Sequence, residues 1–398
     1  MTFEHDIVIM GGCGHVGLPL GMAFADHGAD VVLFDSGADA VERVNSGVMP
    51  FREEGADTLL PKLLECNRLR ATTDPTSMSA AENAIVVVGT PVDRYLSPDI
   101  GSVPRAIEPV MEHLVDGQLL VLRSTVYPGV TKLVERMLAD RGRDIDVSFC
   151  PERIAEGHAL EELSGLPQIV AGRTARATER AAALFRRLAA EVVELLPEEA
   201  ELAKLFTNTW RYIKFATANQ LFMIANDFGL DFEEIRRAVT YHYPRASDMP
   251  GPGFAAGPCL LKDTMQIAAF YENNFSLGHA SVLINEGLPI YMVGKMEQRF
   301  DDLATMTVGI LGMAFKGESD DIRSSLSYKL KRLLMLKAAR VLCTDPYVTI
   351  DSDLVPVDQV LREADVLVVA APHREYTTIK TTKPTVDLFN LLGQGVRV

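Results

Sequence analysis

Residues 249–263 read MPGPGFAAGPCLLKD, a glycine-rich stretch that carries Cys259 just before Lys262 and Asp263. A thiol attacks only as its thiolate, which nearby positive charge favours, and small neighbours would let a substrate reach the sulfur. A free cysteine is otherwise a small buried hydrophobe. That is the reading for Cys13, Cys66, Cys150 and Cys343, while the loop leaves Cys259 open between the two. Glu201, Lys204 and Asn208 share one face of an expected helix. Leu202, Leu205 and Phe206 flank them, so this is either a solvated face or the border of an apolar cleft. Ser124-Thr125-Val126 and the run from Pro151-Glu152-Arg153-Ile154 to Glu156-Gly157 each follow an expected strand. Glu152 and Glu156 could orient a substrate or move a proton there, or be ordinary loop carboxylates. Gly12-Cys13-Gly14-His15-Val16-Gly17 is a GxGxxG motif.

The elements that must hold these residues alternate. Strands are expected at 7–10, 31–34, 84–88, 119–122 and 147–149, with a helix at 16–27. Strands at this spacing with helices between them imply a parallel, doubly wound sheet. In that setting the GxGxxG motif acquires its mechanics. Gly12 permits the tight turn, Gly14 lets a pyrophosphate approach the backbone, and Gly17 packs helix on strand. The helix N-terminus faces the phosphates. Asp35 ends the next strand and suits a ribose diol, which favours NAD over NADP. Gly89-Thr90-Pro91 lies at another strand's carboxyl end, where such sheets bind ligands, or is a simple turn. Residues 198–226 keep helical periodicity without an internal break, a helix of about 40 Å. Residues 249–262 are expected as a loop, with helices at 263–271 and 282–299. From residue 305 a second α/β unit begins, with strands at 307–311, 339–343 and 366–370 and a helix at 325–336. Its Gly309-Ile310-Leu311-Gly312 is not a GxGxxG.

The chain has 398 residues, 39 basic and 54 acidic, for a net charge of −15. That excludes the positive field that nonspecific nucleic-acid binding needs. A hydrophobic share of 47% supplies a core and excludes disorder as the main state. No apolar run of about 20 residues occurs, so no membrane span is expected, and the N-terminus does not read as a signal peptide. Five cysteines without CxxC, and eight scattered histidines, give no disulfide framework and no metal site. A reducing cytoplasm is the expected compartment.

Together the segments GGCGHVGLPLG, VVVGTPVD, STVYPGVT, CPERIAEG, EAELAKLFTNT, GPGFAAGPCLLKD and GMAFKGESDDIRSS, in this order, resemble the UDP-glucose/GDP-mannose dehydrogenase family, the nucleotide-sugar 6-dehydrogenases. The resemblance runs over nearly the whole chain. It implies an α/β protein of two Rossmann-like, doubly wound domains joined by a long central helix. An NAD-binding domain would cover 1–197, a helical dimerisation region with the cysteine loop 198–304, and a UDP-sugar-binding domain 305–398. The implied reaction is four-electron oxidation of a UDP-sugar C6 alcohol to the carboxylate, with two NAD per product. By motif, Cys259 matches the nucleophile that forms a thiohemiacetal and then a thioester. Lys204 matches the lysine that stabilises the oxyanion, Asn208 its hydrogen-bonding neighbour, and Asp263 the aspartate that handles a proton and a water. Thr125 matches the threonine holding that water, and Glu152 the carboxylate of thioester hydrolysis.

The implied cofactor set is Gly12, Cys13, Gly14, His15, Val16, Gly17, Asp35, Gly89, Thr90, Pro91, Ser124, Thr125 and Arg323. The implied substrate set is Glu152, Arg153, Ile154, Glu156, Lys204, Asn208, Arg245, Gly257 and Lys316, with Arg245 offered to a neighbouring subunit. A homodimer through the central helix is implied, with higher oligomers possible, and no metal. The cysteine loop departs from the family: Ala255-Ala256 stand before Gly257-Pro258, and Leu260-Leu261 replace the commoner Phe-Pro. CPERIAEG resembles the N-acetylhexosamine branch more than the glucose branch. The alternatives are a two-electron dehydrogenase that stops at the aldehyde, and a noncatalytic nucleotide-sugar-binding protein.

Overall fold

In a computed structural model of the chain, residues 3–93, 95–396 and 398 are described. They form two compact units, residues 1–207 and 208–398.

The first unit is built on an eight-stranded sheet. Its strands are β1 (His5–Met10), β2 (Val31–Phe34), β3 (Leu69–Thr72), β4 (Ala81–Val86), β5 (Leu119–Leu122), β6 (Asp146–Phe149), β7 (Gln168–Gly172) and β8 (Val192–Leu195). They lie in the order β3-β2-β1-β4-β5-β6-β7-β8. Only the β6–β7 pair is antiparallel. The central strands are short apolar runs, such as VVLF and LLVL, because helices cover both faces of the sheet. Alternation within β1 shows this directly. Ile7 and Ile9 enter one core with Leu33, Phe24 and Phe185, while Val8 enters the other with Val32, Leu120 and Phe149.

In the second unit, β9 (Thr307–Leu311), β10 (Arg340–Thr344), β11 (Val366–Val369) and β12 (Thr385–Asp387) form a parallel sheet in the order β10-β9-β11-β12. Its helical partners come from the middle of the chain. Phe222, Phe232, Leu288, Met292 and Met296 share one core with Val308, Ile310, Val366 and Val368. The expected central and C-terminal regions therefore fold around common apolar residues. The long central helix spans Pro197–Asp227, so it begins in one unit and ends in the other.

The expected strands at 31–34, 119–122 and 307–311 match to the residue, and the others shift by one to three positions. The helix expected from residue 263 starts at Leu260. Lys262 and Asp263 are thus helical, and the loop ends at Cys259. Strands β3, β7, β8 and β12 were not expected. β8 is a partly exposed edge strand and β12 only three residues long, too little pattern for periodicity to register.

Candidate active site

The GxGxxG motif joins β1 to the helix Gly17–Asp26. Gly11 turns with φ +77°, and its N–H donates to Phe34 O. A Cβ on Gly12 would lie 2.7 Å from Ile9 O and Leu33 Cβ, and one on Gly17 2.3 Å from Gly11 O. A Cβ on Gly14 would meet only Gly11 O at 3.6 Å, so that side of the loop is open for approach. Asp35 follows β2, and its Oδ2 accepts from Cys13 N at 3.1 Å while Oδ1 accepts from Gly37 N at 3.0 Å. The carboxylate is thus set beside the loop with acceptor capacity left over. These residues fit a dinucleotide with its pyrophosphate over Gly14 and its ribose at Asp35. His15 stacks against Phe51 with ring centroids 4.1 Å apart. Burial, reinforced by the Asp35 charge, pushes the Cys13 thiol up to about 12, so it stays protonated.

Beside this loop, Ser124 cross-links the ends of two strands: its Oγ accepts from Val88 N at 2.7 Å and lies 3.5 Å from Val86 O. Gly89 has nothing within 4 Å of its Cβ position, so the Gly89-Thr90-Pro91 turn presents open backbone. Thr125 is half-buried in the next loop. That loop leads into the helix Val130–Ala139, whose first N–H groups need an acceptor. Glu201, 1% exposed, supplies it. Its carboxylate accepts from Gly129 N at 2.6 Å, Thr131 N at 2.9 Å and Thr131 Oγ1 at 2.6 Å. Lys204 stands one turn further along the central helix and is buried.

Glu152, expected as the hydrolytic carboxylate, is buried and hydrogen-bonded through both oxygens. Its Oε2 accepts from Arg123 Nε at 2.9 Å and a second guanidinium nitrogen at 2.5 Å. Its Oε1 accepts from Arg153 N at 2.7 Å and Ile154 N at 3.0 Å. Four donors engage this carboxylate, so in this structure Glu152 anchors its own loop. Arg123, 1% exposed, also donates to Cys150 O and Gln168 Oε1 and lies 4.7 Å over the Phe185 ring. Two further carboxylates shape the same loop. Glu162 accepts from Ala155 N at 2.6 Å, and Glu53 accepts from Gly157 N at 2.9 Å and Ala159 N at 2.6 Å. Burial raises the Glu53 carboxyl against the lowering effect of these backbone bonds. Arg153 donates to Pro167 O, and Glu156 is half-buried in the loop. Sequence reasoning missed Arg123, Glu53 and Glu162. A lone arginine ending an apolar strand was a faint signal, and the two carboxylates had none.

In the second unit the cysteine loop delivers Cys259 to the N-terminus of the helix Leu260–Phe270, where Cys259 O accepts from Asp263 N. Cys259 is exposed. Its place at the positive end of that helix favours negative charge at the sulfur. Asp263 is fully buried between two partners, Asn208 Nδ2 at 2.6 Å from Oδ2 and Lys262 Nζ at 2.7 Å from Oδ1. Asp263 and Asn208 are therefore brought together one helix turn from Cys259, and Lys262 joins them. Gly257 has φ +95°, and a Cβ there would strike the Phe315 ring at 2.6 Å.

A cavity of about 580 Å³ opens beside this loop. Phe215, Phe254, Phe315 and Phe389 line it together with Lys316, Arg236, Glu233 and Asn390, so aromatic faces, two cations and a carboxylate meet in a single chamber. Arg323 is bound in its own loop by Asp321, through Nε and a terminal nitrogen at 2.7–3.0 Å. Arg245 is exposed and lies over the Tyr243 ring.

The second sheet carries its own acid at the end of β10, Asp345, in the position that Asp35 holds at the end of β2. Asp345 is sealed. Its Oδ2 accepts from Met313 N and Ala314 N at 2.7 and 2.9 Å and lies 3.0 Å from His373 Nε2. His373 Nδ1 accepts from Glu318 N, which leaves Nε2 as the donor. Burial alone would raise the Asp345 carboxyl, but the His373 and backbone bonds outweigh it and hold it below the usual range. An acid closed in this way has little left for a ribose, a physical reason why this unit lacks the dinucleotide fingerprint.

Three sequence profiles of one family match the chain. The UDP-glucose/GDP-mannose dehydrogenase family's NAD binding domain matches residues 5–189, its central domain 198–286 and its UDP binding domain 309–394. The UDP-N-acetyl-D-mannosamine dehydrogenase of Pyrococcus horikoshii is 30% identical over 380 residues, covering 92% of this chain and 90% of that protein. Among solved structures, a UDP-D-ManNAc dehydrogenase from Pyrococcus horikoshii superposes with a TM-score of 0.91 at 27% identity, over 98% of this chain and 97% of the other. A UDP-glucose dehydrogenase from Pyrobaculum islandicum superposes with a TM-score of 0.88 at 28% identity, over 96% and 94%.

Proposed function

The chain belongs to the UDP-glucose/GDP-mannose dehydrogenase family, and from that membership we propose that it oxidises the C6 alcohol of UDP-N-acetylmannosamine to the uronate. NAD-dependent oxidation of a UDP-sugar is the activity of the family. The sugar is inferred from the N-acetylmannosamine dehydrogenases that resemble the chain over most of its length. The observation that carries the chemistry is the group Cys259, Asp263, Asn208 and Lys262 at one helix N-terminus.

The glycine loop at Gly14 and the Asp35 carboxylate would hold NAD, which would supply the hydride acceptor for each of two oxidations. The chain's own groups do the rest. The alcohol proton passes to a base as the first hydride leaves, giving the C6 aldehyde. The Cys259 thiolate then adds to that aldehyde, because a free carbonyl has no hydride to give until a nucleophile has added. Lys204, a buried cation, stabilises the oxygen that becomes negative. Loss of the second hydride leaves a thioester. Water adds to it, the thiolate departs, and the carboxylate product forms. Asp263, held by Asn208 and Lys262, takes the proton from that water. Lys316 in the aromatic-lined cavity suits a nucleoside diphosphate, its ammonium against phosphate and the rings against the base.

NADH release should be measured with UDP-N-acetylmannosamine, its N-acetylglucosamine and N-acetylgalactosamine counterparts, UDP-glucose and GDP-mannose, with the product identified by mass spectrometry. Two NADH per UDP-N-acetylmannosamine, with the uronate formed, is expected. One NADH with an aldehyde product would sink the four-electron reading, and stronger turnover of another sugar would move the substrate to that sugar.

The reading includes a homodimer. Trp210, Leu221 and Ile224 are exposed on one side of the central helix, with Phe228 just past its end and Ile235 and Val239 exposed on the next helix. Such an apolar side suits burial against a second copy. Sedimentation velocity should give a dimer, and Ile224→Asp should give monomers; an unaltered monomer in both would refute it. The exposed Cys259 thiol suits a reducing cytoplasm.

A further inference from the structure

The central helix takes hold of the segment around Cys259 twice. The first hold is Asn208 on Asp263, just past the cysteine. The second lies just before it. Asn219, with no exposed surface, pairs with both backbone groups of Gly253: its Nδ2 donates to Gly253 O at 3.0 Å and its Oδ1 accepts from Gly253 N at 2.9 Å. The other Nδ2 proton goes to Asn285 Oδ1 at 2.9 Å, and Asn285 Nδ2 donates in turn to Tyr212 O at 3.1 Å. A carboxamide that meets a peptide group in both directions fixes its position and orientation together. Asn208 and Asn219 share one face of the helix, three turns and about 16 Å apart. Trp210, Leu221 and Ile224 occupy the opposite, exposed face.

We propose that Asn219 is a positioning residue for the reaction, the second of two clamps that stretch the cysteine loop along the central helix and set where the Cys259 sulfur stands. The inference rests on Cys259 being the nucleophile. Gly253 suits the clamp because a Cβ there would lie 2.6 Å from Phe389 Cε1, so the loop is pressed between Asn219 and the wall of the cavity. Without Asn219, both Gly253 backbone groups lose their partner; Phe254 and Ala255 are then held by apolar packing alone, and the next hydrogen bond described in the loop is Gly257 N to Ser324 O at 3.4 Å. A nucleophile displaced by about 1 Å can lose about 100-fold in rate.

The test compares Asn219→Ala with Asn285→Ala in the full chain. Both cut the buried amide network and should lower thermal stability, but only the first releases Gly253. Asn219→Ala is expected to lower kcat by about 10- to 100-fold, with NAD affinity unchanged. It should also change the rate at which iodoacetamide alkylates Cys259, followed on the isolated peptide because Cys66 is exposed too. Asn285→Ala should keep kcat and alkylation near wild type. Asn219→Asp, which sets an oxygen against Gly253 O and Asn285 Oδ1, should behave like the alanine variant. Should Asn219→Ala not fold, Asn219→Ser carries the same expectations, since a hydroxyl cannot serve both Gly253 groups. Unchanged kcat and alkylation in a folded Asn219 variant would overturn the proposal, and so would equal losses in Asn285→Ala. If the wild type oxidises no nucleotide sugar, the alkylation rates still decide the clamp, so the two failures remain distinct.

Discussion

Replacing Cys259 with alanine is expected to remove uronate formation, a loss of at least about 1000-fold in kcat. The substitution takes away the thiol proposed to bond to the aldehyde carbon. The backbone start of the following helix is kept. Cys259 is exposed, its side chain makes no cap bond to the helix it precedes, and its backbone O still accepts from Asp263 N. NAD should bind as before, because the GxGxxG loop and Asp35 lie in the first unit. Stopped-flow absorbance and product analysis give the decisive reading. A variant that still yields two NADH and the uronate would show that the thiol is not the nucleophile. A variant that yields one NADH and releases aldehyde would place the cysteine in the second oxidation alone.

Replacing Arg123 with methionine is expected to destabilise the first unit by about 3–5 kcal/mol. The long apolar side chain fills most of the space but leaves Glu152, 7% exposed, without its counter-charge. Gln168 Oε1 and Cys150 O lose donors at the same time. The cost of breaking such a pair is mostly that of the stranded charge, so removing both charges should recover much of it. Chemical denaturation of wild type, Arg123→Met and the double variant Arg123→Met/Glu152→Gln measures this directly. A single variant within about 1 kcal/mol of wild type would mean that solvent reaches the pair and that the anchor is not what holds residues 150–157. The comparison also tests the place of Glu152. A residue whose carboxylate works as an anchor loses stability and activity together when the anchor goes.

The cysteine loop illustrates what residue patterns can carry. Its glycines, its cysteine and the following Lys-Asp were visible as a unit, and so was the face of Lys204 and Asn208. Local spacing sufficed because each group lies within one loop or one helix turn. The partition of carboxylates was not visible. Glu53, Glu152, Glu156, Glu162 and Glu201 look alike in sequence, yet Glu152 takes two of its four donors, and Glu201 all three, from distant parts of the chain. Which acid is filled and which faces a ligand depends on groups brought in from distant positions, such as Arg123 for Glu152 and Gly129 for Glu201.

The sequence by itself determined the class of the fold, the dinucleotide loop with Asp35, the long central helix and the glycine-rich surroundings of Cys259. These follow from period, turn chemistry and short-range spacing, which act within about a dozen residues. Tertiary structure alone decided that Glu152 is an anchor, that Asp345 is sealed by His373, and that Asn219 meets Gly253. It also decided that the middle helices share a core with the second sheet. Each of these is a contact between residues far apart in the chain. Its partner is chosen by how sheets and helices pack, and no periodicity along the chain records that choice.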